Sequence, residues 1–291
     1  MLSATTENEP STPKLLGKGA FGIVYEGKWN GVKVAIKRID KTEFLASDGS
    51  ITNATTAGQR SEEEVMKKLD HPNVLKLLHV EIDKNFKYFY LELCLATIGD
   101  YCKGKYAGPM PPEANSLHQM ASGLAYIHSI GLVHRDIKED NVLIYKSAED
   151  CIWLKISDFG LCKLTSASGS YSMRSGVKGN QKFFSPELLQ LADQQARSFD
   201  SVVHQRSNVS SDVFALGCLF HSYLTKGKHP FSDSRGSFFI PINILEGKFH
   251  LDDQINTTFR LVITGMIILN PETRWSLDAV EVQLKPHLTT N

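Results

Sequence analysis

The stretch that decides the fold of this chain is His134-Arg135-Asp136-Ile137-Lys138-Glu139-Asp140-Asn141, followed further along by Asp158-Phe159-Gly160. The two motifs supply a carboxylate, a lysine, an amide and a second carboxylate at fixed spacing. A carboxylate can accept the proton of a hydroxyl group, and carboxylate and amide oxygens are ligands that Mg²⁺ prefers. These residue types in this order indicate phosphoryl transfer, which needs an oriented nucleophile, a divalent cation and neutralised charge.

A second signature lies upstream, in the glycine-rich run Leu16-Gly17-Lys18-Gly19-Ala20-Phe21-Gly22-Ile23-Val24. Glycine lets the backbone approach a phosphate closely because it has no Cβ. By itself this motif also resembles a dinucleotide-binding fingerprint. The next segment decides between the two, because it is the strand-like run Val34-Ala35-Ile36-Lys37 and no acidic ribose-binding residue follows in a βαβ unit.

With these motifs in this order, residues 14–288 resemble the eukaryotic protein kinase superfamily. The resemblance implies an α+β, bilobal protein kinase fold that uses ATP and Mg. It implies that Asp136 is the catalytic base, that Lys138 reaches the transferred phosphate, and that Asn141 and Asp158 ligate the metal. Lys37 would pair with the α- and β-phosphates. The other nucleotide-binding residues implied are Leu16, Gly17, Gly19, Gly22, Val24, Ala35, Leu91, Glu92, Cys94 and Leu143.

The glutamate that would pair with Lys37 comes from the acidic start of a helix, where three candidates stand in a row. The apolar residues that follow them recur at helical spacing and define the buried face; they are Val65, Met66 and Leu69. Glu62 shares that face, and we therefore predict that it is the partner. Glu63 points away, and Glu64 is the second choice.

A closer likeness connects the chain to the inositol-requiring enzyme family, whose members sense unfolded proteins and join a kinase to an endoribonuclease. It rests on four short matches, which are Leu91-Glu92-Leu93-Cys94 followed by Ala96-Thr97, Ala121-Ser122-Gly123-Leu124-Ala125, Asp158-Phe159-Gly160-Leu161-Cys162-Lys163 and Arg174-Ser175-Gly176-Val177. That family has a membrane span before the kinase and a nuclease domain after it. No apolar run here approaches the ~18–20 residues of a membrane helix. We expect a kinase-only relative or a domain of a longer protein.

The composition narrows the class of protein. The 291 residues carry 32 basic and 32 acidic side chains, so that the formal net charge is zero. This balance argues against a nucleic acid partner bound through bulk charge. Five cysteines without a Cys-x-x-Cys pair favour reduced thiols over a disulfide framework. We therefore expect a cytoplasmic protein, or the cytosolic domain of a larger one.

The sequence predicts two lobes that differ in secondary structure. Residues 14–91 predict a small, strand-rich N-lobe with one helix, residues 92–95 a hinge, and residues 96–288 a helical C-lobe. Residues 1–13 are polar and predict a disordered N-terminal tail. Apolar residues surround the helix after Asp212 on nearly all sides, so that we expect it at the centre of the C-lobe. The resemblance implies that Asp212 accepts backbone hydrogen bonds from the catalytic loop and that Arg274 forms a structural ion pair with Glu187.

One position departs from the superfamily pattern. Lys138 favours serine and threonine hydroxyls as substrates, yet Gly179-Asn180 stands where such kinases have a Gly-Thr pair. That threonine normally bridges the catalytic aspartate and lysine, and the amide of Asn180 could replace it in part. The intact catalytic residues and the departure at Asn180 leave two functions open. The first is an Mg-ATP-dependent protein serine/threonine kinase, which the intact catalytic residues favour; the alternative is a nucleotide-binding scaffold that signals through dimerisation.

The segment between Asp158 and Glu187 is rich in serine, and we expect it to be mobile until it is phosphorylated. Arg135 and Lys163 would form the basic pocket that receives a phosphate. The serines that match the loop serines of the sensor-kinase family by position are Ser170, Ser172 and Ser175. We predict trans-autophosphorylation there, with a homodimer as a partner alongside a protein substrate.

Overall fold

The computed structural model of the chain describes residues 14–19, 22–40, 62–198 and 204–289. The predicted disordered tail, residues 1–13, lies outside them. The chain divides into two compact units. The first contains the described residues up to 40 together with Leu77–Leu93, and the second contains residues 62–76 and those from Cys94 onward.

The first unit is an antiparallel sheet of five strands in the order β1-β2-β3-β5-β4. The strands are β1 (Leu15–Gly19), β2 (Gly22–Trp29), β3 (Val32–Asp40), β4 (Leu77–Ile82) and β5 (Phe86–Glu92). β-Branched and aromatic residues are frequent in β3 and β5, as is usual for a pleated, half-buried surface. β3 lies between β2 and β5, so that the backbone of Lys37 is paired on both sides.

The hairpin between β1 and β2 requires glycine at position 22. Gly22 has a φ of 120°, which side chains rarely permit. A Cβ there would also collide with the carbonyl oxygen of Arg38 on β3. By contrast, a Cβ at Gly17 would meet no atom within 4 Å. The sheet itself therefore demands Gly22, whereas Gly17 leaves open space beside its backbone.

The second unit is mainly helical. Its α-helices within the described residues are α1 (Glu62–Met66), α2 (Ile98–Cys102), α3 (Glu113–Ser129), α4 (Pro186–Arg197), α5 (Ser210–Leu224), α6 (Ile240–Leu245), α7 (Thr257–Met266) and α8 (Leu277–Leu284). None of the helices in the described ranges is long and apolar enough to cross a membrane. A sheet in one unit and mainly helices in the other confirm the predicted α+β class.

Seven short strands complete the second unit. They are β6 (Ala96–Thr97), β7 (Leu132–Val133), β8 (Val142–Lys146), β9 (Ile152–Ile156), β10 (Lys163–Leu164), β11 (Ser170–Ser172) and β12 (Arg206–Asn208). They form three small sheets, β6-β8-β9, β7-β10 and β11-β12. The catalytic motifs lie in the loops that join these strands, so that short backbone ladders fix both ends of each motif.

The core of the second unit is built around α5. Every residue from Ser211 to Tyr223 is buried, which confirms the position predicted from its apolar sequence. Helix α3 contacts α5, β9 and α8. Its apolar face is fully buried and consists of Leu117, Met120, Ala121, Leu124 and Ile127. The loop that carries Asp136 follows α3, so that the helix before the loop is packed in the core.

Helix α1 groups with the second unit, although the sequence places it in the small N-lobe. The chain after α1 is hydrogen-bonded to β9, which explains this grouping. Ile156 N donates to Asn73 O, and Leu75 N donates to Ile156 O, both at 2.9 Å. Asn73 Nδ2 also donates to Leu154 O at 3.0 Å. Residues 62–76 are thus attached to a strand that the sequence pattern did not pair with them.

Candidate active site

A single buried carboxylate holds the predicted catalytic loop. Asp212, in the first turn of α5, accepts hydrogen bonds from His134 N at 2.7 Å and from Arg135 N at 2.8 Å. Its Oδ2 also lies 3.0 Å from Nε2 of His128, near the end of α3. The predicted role of Asp212 is confirmed. The contribution of His128 was missed, and its only signal in the sequence is a polar residue in the last turn of an apolar helix.

Asp212 remains charged although it is buried. Burial alone would raise the pKa of its carboxyl group, but the hydrogen bond and charge of His128 and the amide of His134 hold the pKa below its ordinary value. A charged acceptor forms shorter and stronger hydrogen bonds than a neutral one. Charge-assisted bonds therefore fix the backbone that carries Asp136.

The three predicted catalytic residues of the loop meet at one atom. Lys138 Nζ and Asn141 Nδ2 both donate to Asp136 Oδ2, the latter at 2.8 Å. Asn141 Nδ2 also donates to the backbone oxygen of Asp136 at 2.8 Å. Asp136 and Asn141 are buried, and Lys138 is half-buried. Asp136 Oδ1 accepts no hydrogen bond from the part of the chain that the structure describes, so that it is the oxygen available to accept a proton.

The aspartate of the Asp-Phe-Gly motif stands on a strained backbone. Asp158 has a φ of 65°, which is uncommon for a residue with a side chain. Ser157 joins this backbone to the catalytic loop, because its N and its Oγ donate to Asn141 O at 2.9 and 3.0 Å. Ser157 O accepts from His134 Nε2 at 3.0 Å. The buried ring of Phe159 lies edge-on to His134, with 5.4 Å between centroids. One network therefore positions Asp158 and Asn141.

The donor atoms of this network suit magnesium. Asn141 uses Nδ2 for its hydrogen bonds, which leaves its amide oxygen Oδ1 without a donor among the described residues. Asp158 adds a carboxylate. Mg²⁺ is usually held by one or two carboxylates together with substrate phosphates. The described ranges contain no cluster of three His, Cys, Asp or Glu side chains that could hold a metal alone. The residues thus fit a cation that binds together with a nucleotide.

Comparison with known proteins agrees with this geometry. Residues 11–286 match the family model of the protein kinase domain. The chain belongs to the protein kinase family. Among curated proteins, it is similar to the human serine/threonine-protein kinase/endoribonuclease IRE2, with 34% identity over 277 residues. This alignment covers 91% of the kinase described here and 27% of the relative.

Two further relatives show the same pattern. The serine/threonine-protein kinase/endoribonuclease ire-1 of Caenorhabditis elegans is 31% identical over 282 residues, which cover 93% of this kinase and 26% of the relative. The serine/threonine-protein kinase PLK4 of Danio rerio is 31% identical over 270 residues, which cover 91% and 26%. The likeness to the inositol-requiring enzyme family is confirmed. The chain spans only 26–27% of the length of these relatives.

In the first unit of this kinase, the predicted nucleotide-binding residues lie on four strands of the sheet. They are Leu16, Gly17 and Gly19 on β1, Gly22 and Val24 on β2, Ala35 and Lys37 on β3, and Leu91 and Glu92 on β5. Val24 is the cross-strand partner of Lys37, and Ala35 is the partner of Leu91. Lys37 is only 9% exposed. The sheet thus brings these residues together, while their contacts with a nucleotide stay a prediction.

The remaining predicted nucleotide contacts are Cys94 and Leu143, both in the second unit. Cys94 is its first residue after β5 and is half-buried. Leu143 lies on β8 between Thr97 of β6 and Lys155 of β9, and it is also half-buried. The contacts of both residues with a nucleotide stay a prediction.

The structure favours Glu62 among the three glutamates of α1. Burial raises the pKa of the Cys162 thiol, and the charge of Glu62 contributes to that rise. Glu62 is therefore close to the segment that follows Asp158. Glu63 instead forms an ion pair with Lys67 at 2.6 Å, and Glu64 is exposed. The orientation inferred from helical spacing is thus supported, and a pair between Glu62 and the strand lysine stays a prediction.

Asn180 does not take the bridging role that the sequence indicated. Its side chain is exposed, and Oδ1 accepts a hydrogen bond from Lys182 N at 3.1 Å. This bond caps the 3-10 helix Gln181–Phe183. Asn180 forms no side-chain hydrogen bond with Asp136 or Lys138. An asparagine prefers to cap the backbone two residues ahead, and here this local bond prevails over the longer contact.

A cavity lies beside the catalytic loop, next to this turn. Gly179 has a φ of 124°, and a Cβ there would lie 2.7 Å from Arg135 O and 3.6 Å from Asp136 Oδ1. Glycine is therefore required for this close approach. The cavity has a volume of about 270 Å³ and is lined by Val177, Gly179, Gln181, Phe184, Ala192, Gln195 and Ala196. It was not predicted, because its walls come from two segments that only the fold brings together.

The predicted basic pocket is present, and it is filled by backbone carbonyls and an aromatic ring. Arg135 Nη2 donates to Gly176 O at 3.0 Å, and Lys163 Nζ donates to Ser172 O at 2.7 Å. The Arg135 guanidinium lies 5.6 Å from the centre of the fully buried Tyr171 ring. Burial, together with the charge of Arg135, lowers the pKa of Lys163 to about 8. Two cations are thus buried near each other.

A strand pair between β11 and β12 was also missed. Ser170 lies opposite Asn208, and Ser172 lies opposite Arg206. The sequence predicted a mobile loop here, because the segment is rich in serine, glycine and other small residues. The buried Tyr171 between the two serines was the only signal. Mobility of the unmodified segment stays a prediction, and β12 is the element that would restrain it.

The predicted structural ion pair at the end of this segment is confirmed. Arg274 Nη1 and Nη2 donate to the two carboxylate oxygens of Glu187, at 2.9 and 3.1 Å. The Arg274 side chain is fully buried and also donates to the carbonyls of Ser210, Ile268 and Leu269. A bidentate pair with these added bonds fixes α4 to the start of α5 and to the loop after α7.

Proposed function

We propose that this chain is an Mg-ATP-dependent protein serine/threonine kinase, which transfers the γ-phosphate of ATP to serine or threonine hydroxyls of a protein. The observation that carries the proposal is the meeting of Lys138 and Asn141 on one oxygen of Asp136. This arrangement orients a carboxylate for proton transfer, and general base catalysis requires such an orientation. The names of the relatives, which include serine/threonine-protein kinases, support the same substrate class.

The residues would divide the work as follows. Mg-ATP, when bound, would supply the phosphoryl group and the cation that offsets its charge. Lys37 would bind the phosphates, and Asn141 and Asp158 would hold the cation. Asp136 would accept the proton of the substrate hydroxyl, while Lys138 would neutralise charge on the transferred phosphate. A substrate side chain next to that hydroxyl would enter the cavity beside Gly179, whose wall approaches Asp136 Oδ1.

Transfer of radiolabelled phosphate from ATP to a serine-containing peptide tests the proposal. Removal of a general base lowers rates by ~10²–10⁴, so that Asp136→Asn should lose at least that factor. Asp150→Asn is the matched control, because Asp150 is exposed and forms an ion pair with Lys146 on the surface. It should retain full activity. Equal activity of the two variants would contradict the proposal.

The kinase would also modify itself. We propose trans-autophosphorylation of the activation segment, residues 158–187, through a transient homodimer. The buried cations Arg135 and Lys163 support this, because a phosphate would offset their charge. The rate should rise more than linearly with protein concentration, because it requires two copies. The chain would act in the cytoplasm or as the cytosolic domain of a larger protein.

A scaffold that binds nucleotide without efficient catalysis is the second candidate, and one observation favours it. Asn180 caps its own turn and does not bridge Asp136 and Lys138. If catalysis is limited by the missing bridge, Asn180→Thr should raise the turnover of peptide substrates and leave ATP affinity unchanged. If the wild-type chain binds Mg-ATP but neither it nor this variant transfers phosphate, the scaffold is the better description.

A further inference from the structure

Helix α5 is hydrogen-bonded to the catalytic loop near both of its ends. In its first turn, Asp212 accepts from two backbone N–H groups at the start of the loop. In its last turn, Ser222 Oγ donates to Glu139 Oε1 at 2.6 Å. A helix rises about 1.5 Å per residue, so that the two attachments lie about 15 Å apart along its axis. Asp136 and Lys138 lie in the chain between them.

The carboxylate of Glu139 faces the interior, toward α2 and α5. Glu139 is half-buried and Ser222 is fully buried. Burial raises the pKa of the Cys102 thiol on α2 to about 11, and the charge of Glu139 adds to the rise. Burial and the same charge raise the pKa of Cys218 on α5. Within the part of the chain that the structure describes, the Ser222 hydroxyl is the one hydrogen-bond donor to this carboxylate.

The backbone at Glu139 forms a short turn whose two ends are held differently. Glu139 is the first residue of the 3-10 helix Glu139–Asn141, and Asn141 N donates to Lys138 O at 3.1 Å to close the turn. At the far end, Ser157 donates twice to Asn141 O. At the near end, the side chain of Lys138 does not cap the turn. The direction of Lys138 therefore depends on how the turn is held at Glu139.

We propose that Glu139 is a positioning residue, which holds this turn against α5 and thereby fixes Lys138 beside Asp136. Its effect on catalysis rests on the proposed kinase function, whereas the attachment to α5 does not. A hydrogen bond to a charged acceptor is stronger than a neutral one, so that a single bond can serve this purpose. Misplacement of a catalytic group by about 1 Å can cost 10²-fold in rate. Loss of the attachment would therefore slow phosphate transfer more than it weakens ATP binding.

Proline at position 139 would hold the turn by another means. Proline is favoured at the first position of a helix, because its φ is fixed and its missing N–H breaks no helical bond. The N–H of Glu139 donates to no group among the described residues. The residue before a proline has to be extended, and Lys138 has a φ of −165° and a ψ of 171°. Glu139→Pro should therefore hold the turn without the help of Ser222.

Hydrogen exchange of the whole chain, followed by NMR, tests the attachment without any need for activity. The amide of Asn141 reports the turn, because it donates the bond that closes it. Glu139→Ala and Ser222→Ala should each accelerate its exchange roughly tenfold, and the double variant should be no faster. Glu139→Pro should retain the wild-type rate, and Ser222→Ala should have no effect in that background. Unchanged exchange in Glu139→Ala, or an effect of Ser222→Ala that persists beside proline, would overturn the proposal.

Asp140→Asn is the matched control for the exchange experiment. Asp140 is the neighbouring carboxylate of the same turn, but it is exposed and forms an ion pair with Lys103 at 3.5 Å. It should leave the exchange of Asn141 unchanged, and an acceleration equal to that of Glu139→Ala would contradict a specific role for Glu139. Exchange in α3 should stay at the wild-type rate in every variant. Equal acceleration there would show that Glu139 stabilises the whole fold, which would overturn a local role.

Steady-state phosphate transfer to a serine-containing peptide tests the positioning role and separates it from the proposed function. In an active chain, Glu139→Ala should lower kcat roughly tenfold at an unchanged KM for ATP, and Glu139→Pro should restore kcat. An active chain in which Glu139→Ala keeps its full kcat would overturn the positioning role. A wild-type chain that transfers no phosphate would overturn the kinase function, and the exchange of Asn141 would still decide the attachment.

Discussion

The catalytic loop, residues 134–141, and the activation segment, residues 158–187, are both irregular stretches of the second unit, but different interactions hold them. In the loop, backbone N–H groups donate to the buried carboxylate of Asp212. In the activation segment, backbone carbonyls accept hydrogen bonds from two cations, Arg135 of the catalytic loop and Lys163 of the segment itself. The loop is therefore held by the negative charge of Asp212. The positive charges of Arg135 and Lys163 face neutral carbonyl groups of the segment, which balance those charges only in part.

This difference suits the two roles that we propose. A catalytic base must stay in one orientation, so that a buried, multiply hydrogen-bonded anchor is appropriate. A regulated segment must change its stability when one group is added, which requires a site where added negative charge is favourable. The catalytic loop is thus held by the hydrogen-bonded carboxylate of Asp212, whereas the carbonyls of the activation segment face the buried cations Arg135 and Lys163.

The largest effect that we expect is the loss of the anchor itself. Asp212→Ala leaves two buried backbone donors and His128 without their acceptor. Removal of one partner from a buried charged network costs about 3–5 kcal/mol, and urea unfolding should show this loss. Asp212→Asn retains an acceptor oxygen and should lose less than half as much. A loss below about 1 kcal/mol in the alanine variant would show that the loop is held by other contacts.

The pH dependence of this anchor has a defined sign. Because the pKa of Asp212 is lower in the folded chain than in the unfolded chain, its contribution to stability is present above the unfolded pKa. The contribution is lost only as the pH falls through the folded pKa, below about 3.9. The Asp212 carboxylate itself should therefore keep its charge across the neutral range.

The second prediction concerns the buried ring of the activation segment. Tyr171 is fully buried and packs against Arg135. Truncation of a buried aromatic ring lowers the free energy of unfolding by about 3–5 kcal/mol when the ring belongs to the core of the whole fold. A segment held by few contacts can open without global unfolding. Tyr171→Ala should therefore accelerate proteolysis within residues 158–187 by at least roughly tenfold while shifting the urea midpoint much less than Asp212→Ala does. An equal shift in both variants would remove the distinction between the two regions.

The sequence was sufficient to predict that the residues of the catalytic-loop motif lie together, while their catalytic roles stay a prediction. Asp136, Lys138 and Asn141 must meet around one reacting group, and the short loop that carries them leaves few arrangements. The structure accordingly joins them at a single oxygen. The burial of α5 was predictable for a related reason, because apolar residues on all sides of a helix exclude an exposed position.

The features that were missed depend on contacts between distant segments. His128 and Asp212 are separated by 84 positions, and neither residue alone indicates the other. β11 and β12 pair through backbone atoms, which no side-chain pattern specifies. At Asn180 a local capping bond prevailed over the expected contact with the catalytic residues. Sequence patterns therefore predict which residues of one motif lie together better than they predict which of several hydrogen bonds a polar side chain forms.

A third prediction uses pH to separate the two regions. His229 packs edge-on against Phe183 of the activation segment, with 5.4 Å between ring centroids, and its Nδ1 accepts from Phe231 N at 3.3 Å. Burial lowers the pKa of His229 to about 3. The unfolded chain therefore binds the proton first, and stability falls as the pH drops below about 6.5. The loss should reach about 2 kcal/mol at pH 5.

Urea unfolding of the wild type and of His229→Asn, at pH 7.5 and pH 5, measures this difference. The variant should lose the part of the acid sensitivity that belongs to His229, while the buried His221, whose pKa burial also lowers, retains its own part. His250→Asn is the control, because His250 is exposed. Identical acid sensitivity in all three proteins would show that the histidine against Phe183 does not destabilise the fold in acid.

The smallest expected effect separates the ring of Tyr171 from its hydroxyl. The hydroxyl lies 3.4 Å from Ser211 Oγ, a long contact, and burial raises the pKa of Tyr171, so that the group is neutral at physiological pH. A neutral hydrogen bond contributes about 0.5–1.5 kcal/mol, and one of this length belongs at the lower end. Tyr171→Phe keeps the ring against Arg135 and should cost about 0.5 kcal/mol, with little change in proteolysis of residues 158–187. If it opened the segment as much as Tyr171→Ala does, the hydroxyl would be the anchor. The activation segment would then be held, like the catalytic loop, by a specific buried hydrogen bond at the start of α5 rather than by ring packing beside unbalanced charge.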